Sequence, residues 1–184
     1  ITHRMRSVND SVDDHVNELV AAVTFTPADG LALGAYWISN LGESDGLSEG
    51  LAEAVGGTDE MPGVPYDRVG GAGGYMHAEA GPVVVDAEYM TALESFGAGL
   101  LGEGGMQPRA WNIELSYTVT DLFELAAKYE GSDEFADMPE AQYGLAASYA
   151  MAGNVTLGIE YVHGTFDGDV DDRDVVTSQV TIEL

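Results

Sequence analysis

The acidic run near the end of the chain is the first group of residues whose spacing suggests chemistry. Asp167, Asp169 and Asp171 stand at alternate positions, as do the first ligands of a calcium-binding loop. A complete loop of that kind has Gly at its sixth place and Glu at its twelfth, whereas this chain has Asp172 and Ser178 there. The run therefore predicts weak surface calcium at most, and no other cofactor is expected.

Residue sets suited to catalysis are sparse. The four histidines, His3, His15, His77 and His163, show no i,i+4 pairing of the kind that binds a metal on a helix. A rim protease needs converging His and Asp, for which the only candidate is His163 with Asp167 or Asp169. A lipase needs Ser, His and an acidic or amide residue on one face, and no such triplet stands out. We predict no catalytic residue, and the chain is not expected to be an enzyme.

The clearest pattern is a strict alternation of apolar and polar residues between Trp111 and Val119. One parity carries Trp111, Ile113, Leu115, Tyr117 and Val119, and the other carries Asn112, Glu114, Ser116 and Thr118. This alternation is typical of a β-strand with two different faces.

The same alternation recurs along the chain and predicts an all-β, antiparallel protein. Nine strands are expected, as four hairpins and a last single strand: Leu19–Phe25, Leu31–Leu41, Val69–Glu79, Val83–Ala92, Trp111–Val119, Phe123–Glu130, Gln142–Met151, Val155–His163 and Val175–Leu184. The connections alternate between short (27–30, 80–82, 120–122, 152–154) and long (42–68, 93–109, 131–141, 164–174). Short periplasmic turns and long outer loops are typical of an outer-membrane β-barrel.

Length and aromatic placement favour the same architecture. Each predicted strand is close to the length that crosses a bilayer when tilted, and no apolar run is long enough for a transmembrane helix. Aromatic residues of the apolar parity recur near the strand ends, as expected for belts at the two membrane interfaces: Phe25, Trp37, Tyr89, Trp111, Tyr117, Phe123, Tyr129, Tyr143, Tyr149 and Tyr161. The alternative is that these rings form the core of an ordinary β-sandwich.

The polar parity is expected to line a pore. Its ionisable members are Asp86, Glu88, Glu114, Glu124, Lys128, Glu130, Glu160 and Glu183, with Gln179 beside them. The net charge of -26 argues against nucleic-acid binding, which requires cationic groups. An acidic wall concentrates cations, so a cation-preferring pore is predicted. Two alternatives stay open, namely a solvated wall without selectivity and acidity that only maintains solubility.

Two further segments carry local predictions. Gly70, Gly71, Gly73 and Gly74 interrupt one strand pattern, which predicts curvature or aromatic cover from a neighbouring strand. A phosphate-binding loop is not favoured, because a strand pattern continues at Tyr75–Glu79 where a helix would be needed. Ser48–Gly57 is expected to form a short helix in the first long loop.

The end of the chain resembles the C-terminal signal of outer-membrane barrels. Val176, Ser178, Val180, Ile182 and Leu184 alternate up to a terminal apolar residue, although that family signal usually ends in Phe. With the hairpin rhythm, the turn Thr26–Gly30 and the Tyr-rich strands, the chain from Val16 onward resembles the siderophore-porin family of proteobacteria, of the legiobactin-uptake type. The resemblance implies a wide barrel that transports an iron chelate, and assigns no binding residue.

Strand parity bears on the organisation of the protein. Residues 1–15 are expected to be an outer loop or disordered, and residues 16–184 to supply the barrel strands. Bacterial barrels have an even strand number, so nine strands suggest the C-terminal portion of a barrel of about 16 strands, or closure by a second chain. We therefore expect an outer-membrane porin for passive diffusion of small hydrophilic solutes, in contact with membrane lipids. The alternatives are a structural or interaction barrel that anchors or sheathes envelope proteins, and a soluble acidic β-sandwich adhesin.

Overall fold

A computed structural model describes residues 19–41, 68–96, 105–135, 138–152, 154–168 and 171–182. These residues form β1 (Val20–Ala28), β2 (Leu31–Ile38), β3 (Gly71–Ala80), β4 (Val83–Ala92), β5 (Arg109–Thr120), β6 (Phe123–Asp133), β7 (Ala141–Ala152), β8 (Val155–Thr165) and β9 (Arg173–Ile182). The nine predicted strands are confirmed, and the all-β prediction holds for the described residues. The expected outer segment 1–15 and the expected helix Ser48–Gly57 lie outside them.

The nine strands make one sheet in which each strand pairs with the next one along the chain. Every pairing is antiparallel. Within the described ranges β1 and β9 do not pair with each other, so the sheet is open and has two edges. All residues of β1 and β9 with a described environment are exposed. Among the same residues, no helix has the length and apolar character needed to cross a membrane.

Three of the four predicted short connections lie within the described residues, at one end of the sheet, and Gly153 of the fourth lies outside the described residues. Gly30 and Gly81 have φ of 74° and 61°, a left-handed conformation that glycine adopts without strain. β1 runs through Pro27 to Ala28, whereas the sequence placed Pro27 in the turn. Pro27 has no N–H to donate to the ladder, and the register with β2 shifts between Phe25 and Ala28. A local irregularity therefore accommodates the proline near the end of an edge strand.

The sheet has two chemically different faces, which we call the apolar face and the polar face. The apolar face carries the parity of Trp111, and the polar face carries the parity of Glu114. Burial is inverted relative to a soluble sheet: Leu115 on the apolar face is 47% exposed, whereas Glu114 and Ser116 beside it are half-buried. The polar face is also concave. One cavity of about 280 Å³ is lined by residues from β5 through β9, among them Glu114, Glu124 and Gln179.

The buried hydrophobic cluster is small and lies where the long connections begin. Its members are Leu41, Val69, Ala92 and Phe96, with Ile38, Met90 and Phe135 packed against them. Leu41 covers Gly71, because a Cβ at Gly71 would lie only 2.5 Å from Cγ of Leu41. Gly71, Ile38 and Ala92 share the parity of the polar face, so this end of that face is closed over by apolar side chains.

Candidate functional site

The ionisable residues predicted for the polar parity come together in rows across the polar face. Cross-strand pairing aligns His77, Asp86, Glu114 and Lys128 in one row, and Glu88, Asn112, Glu130 and Gln142 in the next. Glu124 and Glu160 lie on the same face nearer the short turns. The eighth predicted residue, Glu183, lies outside the described residues, and whether this face lines a pore stays a prediction.

Lys128 is the centre of an ion-pair network that links two strands, β6 and β8. Its Nζ lies 3.0 Å from Oε1 of Glu160 and 3.5 Å from Oε1 of Glu130. The side chain starts on β6 and crosses β7 over Gly144, where a Cβ would lie 2.6 Å from Cγ of Lys128. It thereby reaches Glu160 on β8, two strands away. The attraction of these two carboxylates offsets the cost of removing water from the ammonium group.

Neutral polar groups hold the carboxylates around Lys128. Gln142 donates from Nε2 to Oε1 of Glu130, and Asn112 donates from Nδ2 to Oε2 of the same side chain at 3.4 Å. Ser116 donates from Oγ to Oε1 of Glu114, also at 3.4 Å. Residues on β5, β6, β7 and β8 are thus joined in one network, which favours a fixed arrangement of charge.

Two tyrosine rings lie on the part of the polar face that β2 and β3 form. The ring of Tyr75 lies across Gly34, since a Cβ there would be 2.1 Å from Cε1 of Tyr75. The ring of Tyr36 covers Gly73 in the same way, with a Cβ at 2.3 Å from Cζ. Curvature or aromatic cover was expected for this glycine-rich stretch, and aromatic cover is present at Gly73.

Each tyrosine hydroxyl has a partner, and so does the histidine of β3. Tyr36 donates to Oε1 of Glu88 at 2.8 Å, and the hydroxyl of Tyr75 lies 2.6 Å from Oγ1 of Thr24. Nδ1 of His77 lies 2.7 Å from Oδ1 of Asp86. The imidazole of His77 is thus paired with a carboxylate on the neighbouring strand β4.

Tyr36 and Tyr75 are not among the residues predicted from the sequence, although the sequence carries a signal for them. Each tyrosine stands on the parity opposite to that of the apolar face, next to Trp37 and Met76 respectively. Each also pairs with a glycine across the strand boundary. An aromatic residue on a polar parity opposite a glycine predicts a ring lying flat on the sheet.

The charge balance of the polar face is strongly acidic. On the described strands it carries seven carboxylates, from Glu79, Asp86, Glu88, Glu114, Glu124, Glu130 and Glu160. Its fixed cations there are Lys128 and, at the long-connection end, Arg173, whose guanidinium stacks 5.3 Å from the ring centroid of Phe166. Carboxylates of this density attract cations electrostatically.

The apolar face carries all ten residues predicted as aromatic belts. Trp37, Tyr89, Trp111, Tyr129, Tyr143 and Tyr161 lie toward the long connections, and Phe25, Tyr117, Phe123 and Tyr149 lie toward the short turns. The rings of Tyr129 and Tyr143 are neighbours, with centroids 5.0 Å apart. In the described strands the charged residues of this face, Arg109, Asp133, His163 and Asp174, all lie at the long-connection end.

The end of the sheet at which the long connections start, here called the rim, holds the remaining predicted residues. Asp167, Asp171 and Arg173 line a cavity of about 520 Å³ together with Asp133, Glu134 and Glu140. Asp169 lies outside the described residues. The described residues include no group of three His, Asp or Glu placed to hold a metal ion, so calcium binding by Asp167, Asp169 and Asp171 stays a prediction.

His163 pairs with Asp174 and not with the predicted Asp167 or Asp169. Its Nδ1 lies 3.0 Å from Oδ1 of Asp174, and Tyr161 donates its hydroxyl to the same oxygen at 2.7 Å. This cluster joins β8 and β9 at the rim of the apolar face. Cross-strand pairs of this kind stabilise the sheet.

Comparison with known proteins adds no relative. The chain matches no protein-family model, and no curated protein is significantly similar to it.

Proposed function

We propose that this sheet is part of the wall of a β-barrel in the outer membrane of a Gram-negative bacterium. The barrel is a porin, and its acidic inner wall favours passive diffusion of cations and small hydrophilic solutes. The apolar face contacts lipid acyl chains, and the polar face contacts water. No catalytic residue and no cofactor is needed for this function.

The observation that carries the proposal is the distribution of charge on the exposed apolar face. Between the short turns and the rim, its described strand residues include no charged side chain, although Asp and Glu number 32 in the chain. Large apolar side chains such as Leu145 and Ile159 are 65% and 56% exposed there. Burying each such side chain is worth about 1.5–3 kcal/mol, which a bilayer supplies and water does not.

A soluble β-sandwich accounts less well for this face. A sandwich buries the apolar parity against a second sheet, and the described residues contain only the one sheet. Soluble monomers rarely expose a continuous apolar surface larger than a few hundred Å². The aromatic residues near both ends of the apolar face match the two interfaces of a membrane.

The unpaired edges of the sheet, at β1 and β9, indicate that the proposed barrel needs further strands. β1 and β9 each present a row of backbone groups without a strand partner within the described residues, and such edges are not tolerated in hydrocarbon. We propose that further strands of the same protein or of a second chain close the ring. The solute class is small and hydrophilic, and the resemblance to siderophore porins extends it to ferric siderophores.

The test is conduction by the full-length protein in a planar lipid bilayer under a salt gradient. The expected result is a stable conductance with a reversal potential that favours K⁺ over Cl⁻, because the wall is acidic. Extraction supplies the first control, since the protein should leave the envelope only with detergent.

Three results would count against the proposal. Anion preference would refute the role of the acidic wall. A folded membrane protein without conductance would favour a structural barrel. Release from the envelope by salt alone would favour a soluble adhesin.

A further inference from the structure

Two aromatic rings lie on the polar face of β2 and β3, and each turns one side away from the sheet. Three consecutive ring atoms of Tyr75 lie over Gly34, and the phenol end of Tyr36 lies over Gly73. One side of each ring is therefore against the backbone. Tyr75 is 37% exposed and Tyr36 is half-buried, so the opposite sides keep access to water. We call these two rings the tyrosine platform.

Hydrogen bonds hold both rings of the tyrosine platform in place. Tyr36 donates its hydroxyl to Oε1 of Glu88 at 2.8 Å, and the hydroxyl of Tyr75 lies 2.6 Å from Oγ1 of Thr24. Both hydroxyls are thus already paired, and a ligand on the platform would meet the ring faces. Because the rings are fixed before a ligand arrives, binding costs little conformational entropy.

Glu88 adds a negative charge at the edge of the tyrosine platform. It stands directly opposite Tyr75 across the boundary between β3 and β4, and its side chain also accepts the hydroxyl of Tyr36. Glu88 is exposed, and among the described residues its Oε2 has no hydrogen-bond partner. The face of an aromatic ring is also negative. Two ring faces and a carboxylate oxygen therefore attract the same kind of ligand, a cation.

The surroundings favour an organic cation. The face of a tyrosine ring attracts quaternary ammonium groups. Gly73, which lies under the ring of Tyr36, pairs with Met90, and Met90 packs against the buried hydrophobic cluster. Apolar substituents on the nitrogen would contact this side of the platform, and the positive charge would lie toward Glu88. A neutral sugar could stack on the same rings, but it would gain nothing from the acidic wall.

We propose that the tyrosine platform and Glu88 form a binding site for small organic cations that carry an alkylated ammonium group. The site rests on the contacts within the sheet. Its use in transport, as a weak binding station for such solutes on the inner wall, rests on the proposed function. Weak binding suits that use, because a solute that crosses a pore must also leave its binding sites.

The test is binding of choline to the full-length protein in an uncharged maltoside detergent, followed by proton NMR at constant ionic strength. Methyl protons that lie over a ring face shift upfield, so the signal reports contact with that face. The matched ligand is neohexyl alcohol, which has the shape of choline with carbon in place of the charged nitrogen. We expect a saturable upfield shift for choline and binding of the alcohol that is roughly fivefold weaker or less.

Paired variants separate the platform from the other tyrosines. Tyr36→Leu with Tyr75→Leu removes both ring faces and should weaken choline binding roughly tenfold. The matched control is Tyr117→Leu with Tyr149→Leu, which removes two exposed rings of the apolar face and should leave the affinity unchanged. Glu88→Gln keeps an acceptor for the hydroxyl of Tyr36, removes the charge and should weaken binding about threefold.

Several results would overturn the proposal. They are the absence of a saturable choline shift in the wild type, equal affinity for choline and neohexyl alcohol, and the same loss of affinity in both double variants. Binding of methyl glucoside as tight as that of choline would assign the platform to carbohydrates instead. If the variant without both platform rings does not fold, Glu88→Gln decides, and an unchanged affinity for choline in that variant refutes the site.

The use of the site in transport is measured separately. In bilayers, choline should lower the K⁺ current of the wild type at concentrations that leave the current of Tyr36→Leu with Tyr75→Leu unchanged. Absence of any current would contradict the proposed function and leave the NMR result as the test of the site. An equal effect of choline on both proteins would contradict a role of the platform in transport.

Discussion

Glycine positions on four strands each receive a long side chain from a neighbouring strand. The pairs are Gly34 with Tyr75, Gly73 with Tyr36, Gly131 with Trp111 and Gly144 with Lys128. In each pair the absent Cβ is what allows a ring or a methylene stem to lie flat on the sheet. The pairs on β2 and β3 are reciprocal, so that each strand supplies one ring and one glycine and a shift of register would lose both contacts.

Gly73→Ala should destabilise the protein. Its Cβ would lie 2.3 Å from Cζ of Tyr36 and 2.7 Å from the backbone oxygen of Tyr89, so both a ring and a backbone must shift. Overpacking of this kind costs about 1–3 kcal/mol. The free energy of unfolding in detergent, from a urea titration, measures the effect.

The matched control is Gly158→Ala, on the same polar face. The nearest atom to its Cβ would be Cβ of Gln179 at 3.9 Å, an ordinary contact. This variant should be neutral or gain about 0.5–1 kcal/mol from the lower flexibility of the unfolded chain. Equal losses in the two variants would show that the ring of Tyr36 does not limit the space above Gly73.

Neutralising carboxylates of the polar face should lower cation preference. Glu114→Gln with Glu124→Gln removes two negative charges beside the concavity and should reduce the K⁺-to-Cl⁻ permeability ratio by roughly a factor of two. Asp29→Asn with Asp121→Asn removes two charges at the short turns and should change the ratio less. Reversal potentials measure both pairs, and the same loss in each would place selectivity outside the polar face.

At the level of strands, much of the fold was predictable from the sequence because alternation is a local property. Each strand with two different faces shows its period in its own residues, and the short turns carry glycine where a left-handed conformation is needed. The end of β1 differs from the prediction, because Pro27 was expected to lie in the turn and instead remains within the strand.

The contacts between strands were less predictable, for two physical reasons. Lys128 reaches Glu160 over an intervening strand, and that partner follows from side-chain direction and not from sequence distance. The cluster around Leu41 and Phe96 covers one end of the polar face. Strand alternation predicts a water-facing position at Ala92, whereas Ala92 is buried in this cluster.

Adjacent positions on β5 provide a sharp test of the two faces. Leu115→Arg places a cation on the apolar face at mid-strand, where a bilayer imposes a cost of about 2–4 kcal/mol. Ser116→Arg places the same charge on the polar face, beside Glu114 and Glu124, where surface ion pairs change stability by about 1 kcal/mol at most.

The measurement is the free energy of unfolding of both variants in lipid vesicles. Leu115→Arg should be the less stable, and Ser116→Arg should in addition lower cation preference. If the two arginines cost the same, the faces do not meet different solvents, and the membrane proposal fails.

For the whole molecule, the dominant quantity is the net charge of -26. Screening shortens the reach of this charge from about 10 Å at 0.1 M salt to about 3 Å at 1 M. Cation preference should therefore be strong in dilute salt and decline steeply toward 1 M. Reversal potentials at fixed salt ratio and rising mean concentration measure this decline, and a preference that did not change would point to direct ligands instead of a diffuse field.

The described residues form nine strands, and this odd number restricts which assemblies are geometrically allowed. Consecutive strands alternate in direction, so β1 and β9 point the same way, and their outer edges cannot form an antiparallel pair with each other. Two identical copies inserted in the same orientation meet the same obstacle, because the last strand of one would run alongside the first strand of the other. For copies inserted in the same orientation, whatever closes this sheet into a ring must therefore supply an odd number of strands at each junction, and these nine strands alone cannot form a closed antiparallel homodimer of that kind.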